Sequence, residues 1–175
     1  MKKSALIISV VFLITFAFSS CAGNKEYVLN EKTFFLVMTN MLYYPEQYEN
    51  KNIELDCFTY DLTDVDGVSY RLGVRKCSAG YGCKCGKDTV IGFILVCNEE
   101  IPAPKNQSED TIEKTWIHLI GKIASAEKKK IKIYAYDQSG AIDKTKTETI
   151  EFLTFNVQKI TLITDYSGLS YYVTK

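Results

Sequence analysis

The sequence predicts a mainly β domain with one N-terminal helix, of the small, OB-like, five-stranded barrel type. One stretch, residues 31–43, repeats its apolar residues at helical spacing, and the chain beyond it is a series of short alternating or β-branched runs split by polar turns. No helical crossover joins these runs, so a closed or nearly closed barrel or a sandwich is the architecture that buries them. Among small barrels the five-stranded OB type fits their number. The 12 tyrosines and 9 phenylalanines match the usage of strand-rich proteins.

The chain opens on Lys2 and Lys3, runs without charge from Ala5 to Phe18, and reaches Phe18-Ser19-Ser20-Cys21. A basic start, an apolar run shorter than the ~20 residues a bilayer span needs, and small residues before a cleavage point describe an export signal. Phe18-Ser19-Ser20-Cys21 is similar to the bacterial lipoprotein signal, which implies cleavage before Cys21 and acylation of that cysteine. The expected division is a signal over 1–20, a lipidated tether over 21–29 and one helix-plus-barrel domain over 30–175. Removing 20 of 175 residues leaves 155, enough for one domain with a sizeable core. Losing Lys2 and Lys3 takes the balance from 21 basic against 21 acidic residues to 19 against 21, which gives no basic field for nucleic acid.

Within the domain, Asn30 is placed to cap the helix, Glu31 suits its positive end and Pro45 stops it; Phe34, Val37, Met38, Met41 and Leu42 form the apolar stripe. Ile53, Leu55 and Cys57 alternate with Glu54 and Asp56 in a first strand reaching about Tyr60. Asp64-Val65-Asp66-Gly67 turns the chain into a second strand over 68–76. The near-continuous apolar run 89–97 reads as a third strand, buried on both sides or bent at Gly92. A surface loop over 98–111 holds Pro102 and Pro104. Further strands lie at 115–121, around Ile131, Ile133 and Ala135, and over 149–164, with Lys128, Lys129 and Lys130 in a solvated turn and 137–147 as a polar connection.

Five cysteines remain after Cys21: Cys57, Cys77, Cys83, Cys85 and Cys97. Outside the cytoplasm the default is disulfides, and all five are candidates, although an odd number leaves one over. Cys57 and Cys97 fall in strands, where buried thiols pack as small hydrophobes. Cys77, Cys83 and Cys85 crowd a glycine-rich stretch with Asp88 close behind, and these four could hold a tetrahedral Zn²⁺ or, through the thiolates, Cu(I). A thiol–disulfide oxidoreductase using Cys83 and Cys85 is the third possibility; Arg75, Lys84 and Lys87 are the cations that would lower a thiol pKa, but no thioredoxin-like βαβ pattern accompanies them. His118 is the single histidine, on the strand face opposite Ile117 and Leu119, and reads as a surface or packed side chain rather than a ligand. No Ser-His-Asp arrangement or nucleotide-binding loop is present in the sequence.

Several stretches together carry a family resemblance: Tyr48-x-Asn50-Lys51-x-Ile53, Tyr70-Arg71-Leu72-Gly73-Val74-Arg75, the cysteines followed by Asp88 and Gly92-Phe93, and Trp116-Ile117-His118-Leu119-Ile120-Gly121. Over about 48–164 the chain resembles the OB-like C-terminal domain of the YcgQ-like family, uncharacterised bacterial proteins associated with predicted permeases. Members carry adjacent cysteines where this chain has Cys83-Lys84-Cys85, and an integral membrane segment where it has a lipoprotein-like signal. The resemblance implies the OB-like fold and a permease or other envelope protein as partner. The function expected is a non-enzymatic binding domain, lipid-tethered on the outer side of a bacterial membrane, whose cysteine stretch is a disulfide staple or a zinc site; the alternatives are the oxidoreductase and an envelope interaction module that binds a protein or peptide on the barrel face.

Overall fold

In the computed structural model, residues 26–77, 89–136 and 141–173 are described. They form a mainly β structure with one α-helix. The elements are β1 (Glu26–Leu29), α1 (Phe34–Tyr43), a 3₁₀ turn (Pro45–Gln47), β2 (Asn52–Thr63), β3 (Ser69–Cys77), β4 (Thr89–Val96), β5 (Trp116–Ile123), β6 (Lys129–Tyr136), β7 (Ile142–Leu162) and β8 (Tyr172–Val173).

The helix begins later than its periodicity suggests. Asn30 Oδ1 accepts the Lys32 and Thr33 N–H groups at 3.0 and 3.2 Å, closing a turn from which α1 proper starts at Phe34. Phe34, Met38 and Met41 are buried, the i, i+4, i+7 stripe of a helix lying on a sheet. Burying each such side chain contributes about 1.5–3 kcal/mol.

Strand pairing runs β2–β3, β3–β4, β4–β7, β7–β5 and β5–β2, returning to its starting strand. All of these ladders are antiparallel except β4–β7. Along β2 the division of labour is visible. Residues 52–55 pair with β1 and residues 58–63 with β3, so β3 leaves β2 partway and β1 takes its place. At the other side of the gap β8 adds to the end of β3, at Lys76 and Cys77. The two ends of the described chain therefore fill the seam where β2 and β3 part.

Two clusters form the core. Every strand of the ring contributes to the first, through residues such as Ile53, Leu55, Cys77, Phe93, Leu119 and Phe155, and α1 packs on it. The second lies on the opposite side chains of the same strands: Phe58, Leu72, Val74, Ile94 and Trp116, covered by Ile131, Ile133 and Phe152 of the β6–β7 arm. β2 thus changes its outward chemistry midway, polar at Glu54 and Asp56 and apolar from Phe58 to Leu62, because only its second half is covered. On β7, Gln158 is an extra residue between the pairs Ile120–Lys159 and Gly121–Val157, a bulge that changes the inward set from Phe155 and Val157 to Ile160.

Beyond the helix start, other boundaries differ from the sequence reading. Lys129 and Lys130, placed in a solvated turn, open β6, where they pair with Phe152 and Glu151 while staying exposed. Glu26–Leu29, assigned to the tether, is a strand with Leu29 buried, because it completes a ladder on β2. The polar connection 137–147 contains the start of β7 at Ile142; those residues are exposed on a two-stranded arm, so no apolar alternation marks them. β8 has no counterpart in that reading because two residues carry no periodicity.

Candidate functional site

The second cluster leaves one side open as a cleft of about 330 Å³. Phe58 and Tyr60 of β2, Lys76 of β3, Val90 of β4, Tyr136 and Tyr171 wall it, with residues 107–110 at its rim. Lys76 and Val90 are directly paired across β3 and β4. They also flank residues 78–88, so the cleft lies at the root of the cysteine-bearing stretch.

Polar anchors, partly or wholly buried, hold the loop that forms the rim. Arg71 pairs with Asp61, its partner across the β2–β3 ladder, and donates from Nη1 to the carbonyls of Ile101 and Pro102 at 2.7 Å each. Gln107 meets the backbone of the same Asp61 twice, accepting its N–H at 2.7 Å and donating to its carbonyl at 2.8 Å, as a neighbouring strand would. Lys114, buried, donates to the carbonyls of Asn106 and Glu109. Fixing a loop through its carbonyls leaves its acidic side chains, Glu109 and Asp110, on the rim.

Charges in the cleft are held, not labile. Lys76 Nζ lies 3.1 Å from Asp110 Oδ1 and over the rings of Tyr171 and Tyr172, 5.4 and 5.5 Å from their centroids. Burial works against its charge, but the hydrogen bond to Asp110 and the two tyrosines outweigh it and lift its pKa well above the usual lysine value. The hydrogen bond from Tyr172 Oη, then that from Lys76, holds the Asp110 carboxyl below the usual carboxylate range. Burial, then the neighbouring Tyr136, pushes the Tyr60 phenol up. Burial and the charge of Lys76 lower the Lys114 pKa.

Arg75, the last residue of the Tyr70–Arg75 motif, seals the seam behind the cleft. Its guanidinium is 1% exposed and lies between the rings of Phe34 and Trp116, at 5.3 and 4.8 Å. Nη1 donates to the Asp56 carbonyl at 3.2 Å, and Nη2 donates to Glu31 at 2.6 and 2.7 Å and to the Ser170 carbonyl. One side chain thus joins β2, the turn that leads into α1 and the segment before β8.

The cysteines distribute differently from the expectation. Cys57, Cys77 and Cys97 are free thiols. Cys57 is wholly buried; its Sγ would stand 2.9 Å from a Cβ on Gly73, so it fills the space that glycine leaves, and burial raises its pKa. β3 lies between β2 and β4, so Cys57 and Cys97 do not sit on paired strands. Cys77, opposite Thr89, packs in the first cluster, and burial pushes its thiol up to about 11. A thiol in that setting is protonated and turned to the core. Cys21, Cys83, Cys85 and Asp88 lie outside the described residues. Among the described residues no group of His, Cys, Asp and Glu is placed to hold a metal, and no helix is long and apolar enough to cross a membrane. His118 is half-buried between two carboxylates of β2, with Nδ1 2.8 Å from Asp56 Oδ1 and Nε2 3.5 Å from Glu54 Oε1.

Most of the cleft was not legible beforehand. Gln107, Asp110, Tyr136 and Tyr171 come from loops and arms far apart in sequence. The one usable signal was the paired arginines of Tyr70–Arg75, since strand arginines that end up buried must find carbonyls or carboxylates.

No curated protein and no solved structure matches the chain. The model of one family, described as the DUF1980 C-terminal domain, matches residues 15–152, which takes in β1 to β6, the helix and the first half of β7. That agrees with the YcgQ-like resemblance read from the Tyr48–Ile53, Tyr70–Arg75 and Trp116–Gly121 motifs. With most of its length matched, the chain belongs to the family of the DUF1980 C-terminal domain.

Proposed function

We propose that this chain is a non-enzymatic binding protein of the bacterial cell envelope, held to a membrane by lipid on Cys21, with an OB-like barrel that takes its ligand in the Tyr60–Tyr171 cleft. The observation that carries the reading is the cleft itself: aromatic walls around a lysine and an aspartate whose opposite shifts leave both charged at neutral pH. General acid–base work needs a group poised to exchange its proton near the working pH, and neither is. Fixed charge between aromatic faces suits recognition.

The barrel reading is supported by the ladder ring β2–β3–β4–β7–β5, by the parallel β4–β7 pairing within it and by the cluster to which all five strands contribute. The export and lipid reading rests on the Lys2 to Cys21 pattern. The cysteine-bearing stretch between Lys76 and Val90 would then be a staple or a Zn²⁺ site through Cys77, Cys83, Cys85 and Asp88, and a permease or another envelope protein is the partner the family resemblance suggests.

A photo-crosslinking amino acid in place of Tyr136, at the cleft rim, tests this in living cells. The expected result is a discrete adduct whose mass distinguishes a small ligand from a protein, lost when Tyr171→Ala removes the opposite wall. The same crosslinker at Lys144, on the exposed arm, should give none. Equal labelling at both positions, or none at Tyr136, would sink the proposal.

A further inference from the structure

From Thr33 to Pro45 the chain carries no charged residue, yet this stretch includes a surface helix. The outward side of such a helix is normally charged. Here it presents Leu36, 63% exposed, and one two-turn step later Tyr43, 74% exposed, followed by Tyr44, 53% exposed. Tyr43 and Tyr44 stand side by side, ring centroids 6.5 Å apart.

The position of this face in the chain says what covers it. β1 runs parallel to β2, so Glu26 lies beside Asn52 at one end of the sheet and Leu29 beside Leu55 further along. The chain leaves β1 at Leu29 and must come back to Asn52, and α1 carries it back over about 15 Å. Tyr43 and Tyr44 therefore lie at the end where Glu26 enters, and the ring of Tyr48 beside Tyr27, at 4.9 Å, closes that end. Cys21 is five residues before Glu26, and five residues reach at most about 18 Å. Tyr60, in the cleft, is eight residues along β2 from Asn52, about 26 Å away.

We infer that the Leu36–Tyr43–Tyr44 face of α1 rests on the lipid surface to which Cys21 is tethered, with the cleft held away from the bilayer. This rests on the lipid-anchor reading of Cys21. Tyrosine suits the headgroup level, where its ring is in apolar surroundings and its hydroxyl is wet. Glu26, Glu46 and Glu49 at this end are matched by Lys25, Lys51 and Lys122, so no basic excess draws it to anionic lipid and the contact depends on apolar and aromatic area.

The test uses the full chain, purified from bacterial membranes and reconstituted in phosphatidylcholine vesicles that carry a nitroxide near the top of the acyl chain. Trp116 is the single tryptophan and fully buried, so it supplies a constant background for Tyr43→Trp and, as control, Tyr136→Trp. An apolar face sinks about 5–10 Å into the headgroup region, so lipid quenching at position 43 should be at least about twofold greater than at position 136. Intact mass of the same samples reads the acyl group on Cys21. Acylated protein with equal quenching at both positions overturns the docked face and leaves the tether standing. Absence of the acyl group overturns the tether, and the docked face with it. A tryptophan at position 43 shielded from aqueous quencher but untouched by lipid quencher overturns the inference in favour of a protein neighbour.

Discussion

Gly92→Ala should be among the most damaging single-methyl changes in this chain. A Cβ on Gly92 would stand 2.8 Å from Val74 Cα and 2.9 Å from the Gly73 carbonyl carbon, with the Gly73 carbonyl oxygen closer still. Carbon atoms rest about 3.5–4.0 Å apart, so β3 and β4 would have to part by roughly 1 Å. The obstacles are backbone and cannot rotate aside, and their strand is pinned on its other flank by β2. Overpacking alone costs about 1–3 kcal/mol. Weakening two ladder hydrogen bonds, at about 1 kcal/mol each, brings the loss to about 4 kcal/mol. For a domain this size that lowers Tm by about 8–16 °C. Circular dichroism melts of Gly92→Ala and Gly168→Ala make the comparison, since the space around Gly168 is open and its substitution should stay within about 0.5 kcal/mol. A Gly92→Ala protein melting within about 2 °C of the parent would refute the close approach, and with it the β3–β4 register that sets Lys76 against Val90.

The same geometry sets three further outcomes. Arg75→Ala leaves the Asp56 and Ser170 carbonyls without this donor and Glu31, a third exposed, with the Ser170 N–H alone, and urea unfolding should show a loss of about 2–3 kcal/mol, with Arg75→Lys restoring only part because one ammonium cannot span all three. Tyr172→Phe removes the main donor to Asp110, so the Asp110 carboxyl should titrate closer to the ordinary carboxylate range, read from its ¹³C shift. For Cys77, burial raises the folded pKa from 9.0 to about 11, so the folded form keeps a proton that the unfolded chain releases. That contribution is full below pH 9 and is lost as pH rises towards 11. The urea midpoint should therefore fall across that window, and less steeply in Cys77→Ala.

The stretches readable from sequence were those whose two faces meet different surroundings, such as the first half of β2 and the helix. Ile53, Leu55 and Cys57 against Glu54 and Asp56 mark such a strand, and the Phe34–Met38–Met41 stripe marks such a helix. β1 was unreadable because its one fully buried side chain, Leu29, gives no pattern in four residues. The first part of β7 was unreadable for a different reason: it stands on a two-stranded arm exposed on both sides, so pairing with β6 alone makes it a strand. For the cysteines, motif spacing says nothing about orientation. Cys77 shares a short stretch with Cys83 and Cys85, yet β3 turns it into the core.

Arg75 explains why the two ends of the domain matter to a cleft built by neither alone. Where β2 and β3 separate, both strands would expose unpaired backbone to the interior, which costs about 1–3 kcal/mol per buried group. β1 and β8 supply most of the missing partners, and the guanidinium covers the remaining Asp56 carbonyl while drawing Glu31 and Ser170 together. The segment it fixes leads directly into Tyr171, which walls the cleft, and Tyr172, which holds Asp110. The same residue fixes the turn that leads into α1, whose far end carries Tyr43 and Tyr44. A change at Arg75 should therefore disturb the cleft wall and the seating of the helix together, whereas Tyr172→Phe should reach only the cleft. Measuring Tyr136 crosslinking and lipid quenching at position 43 in Arg75→Lys separates the two: loss of both supports a shared clamp, and loss of one alone shows that the ends of the domain are held independently.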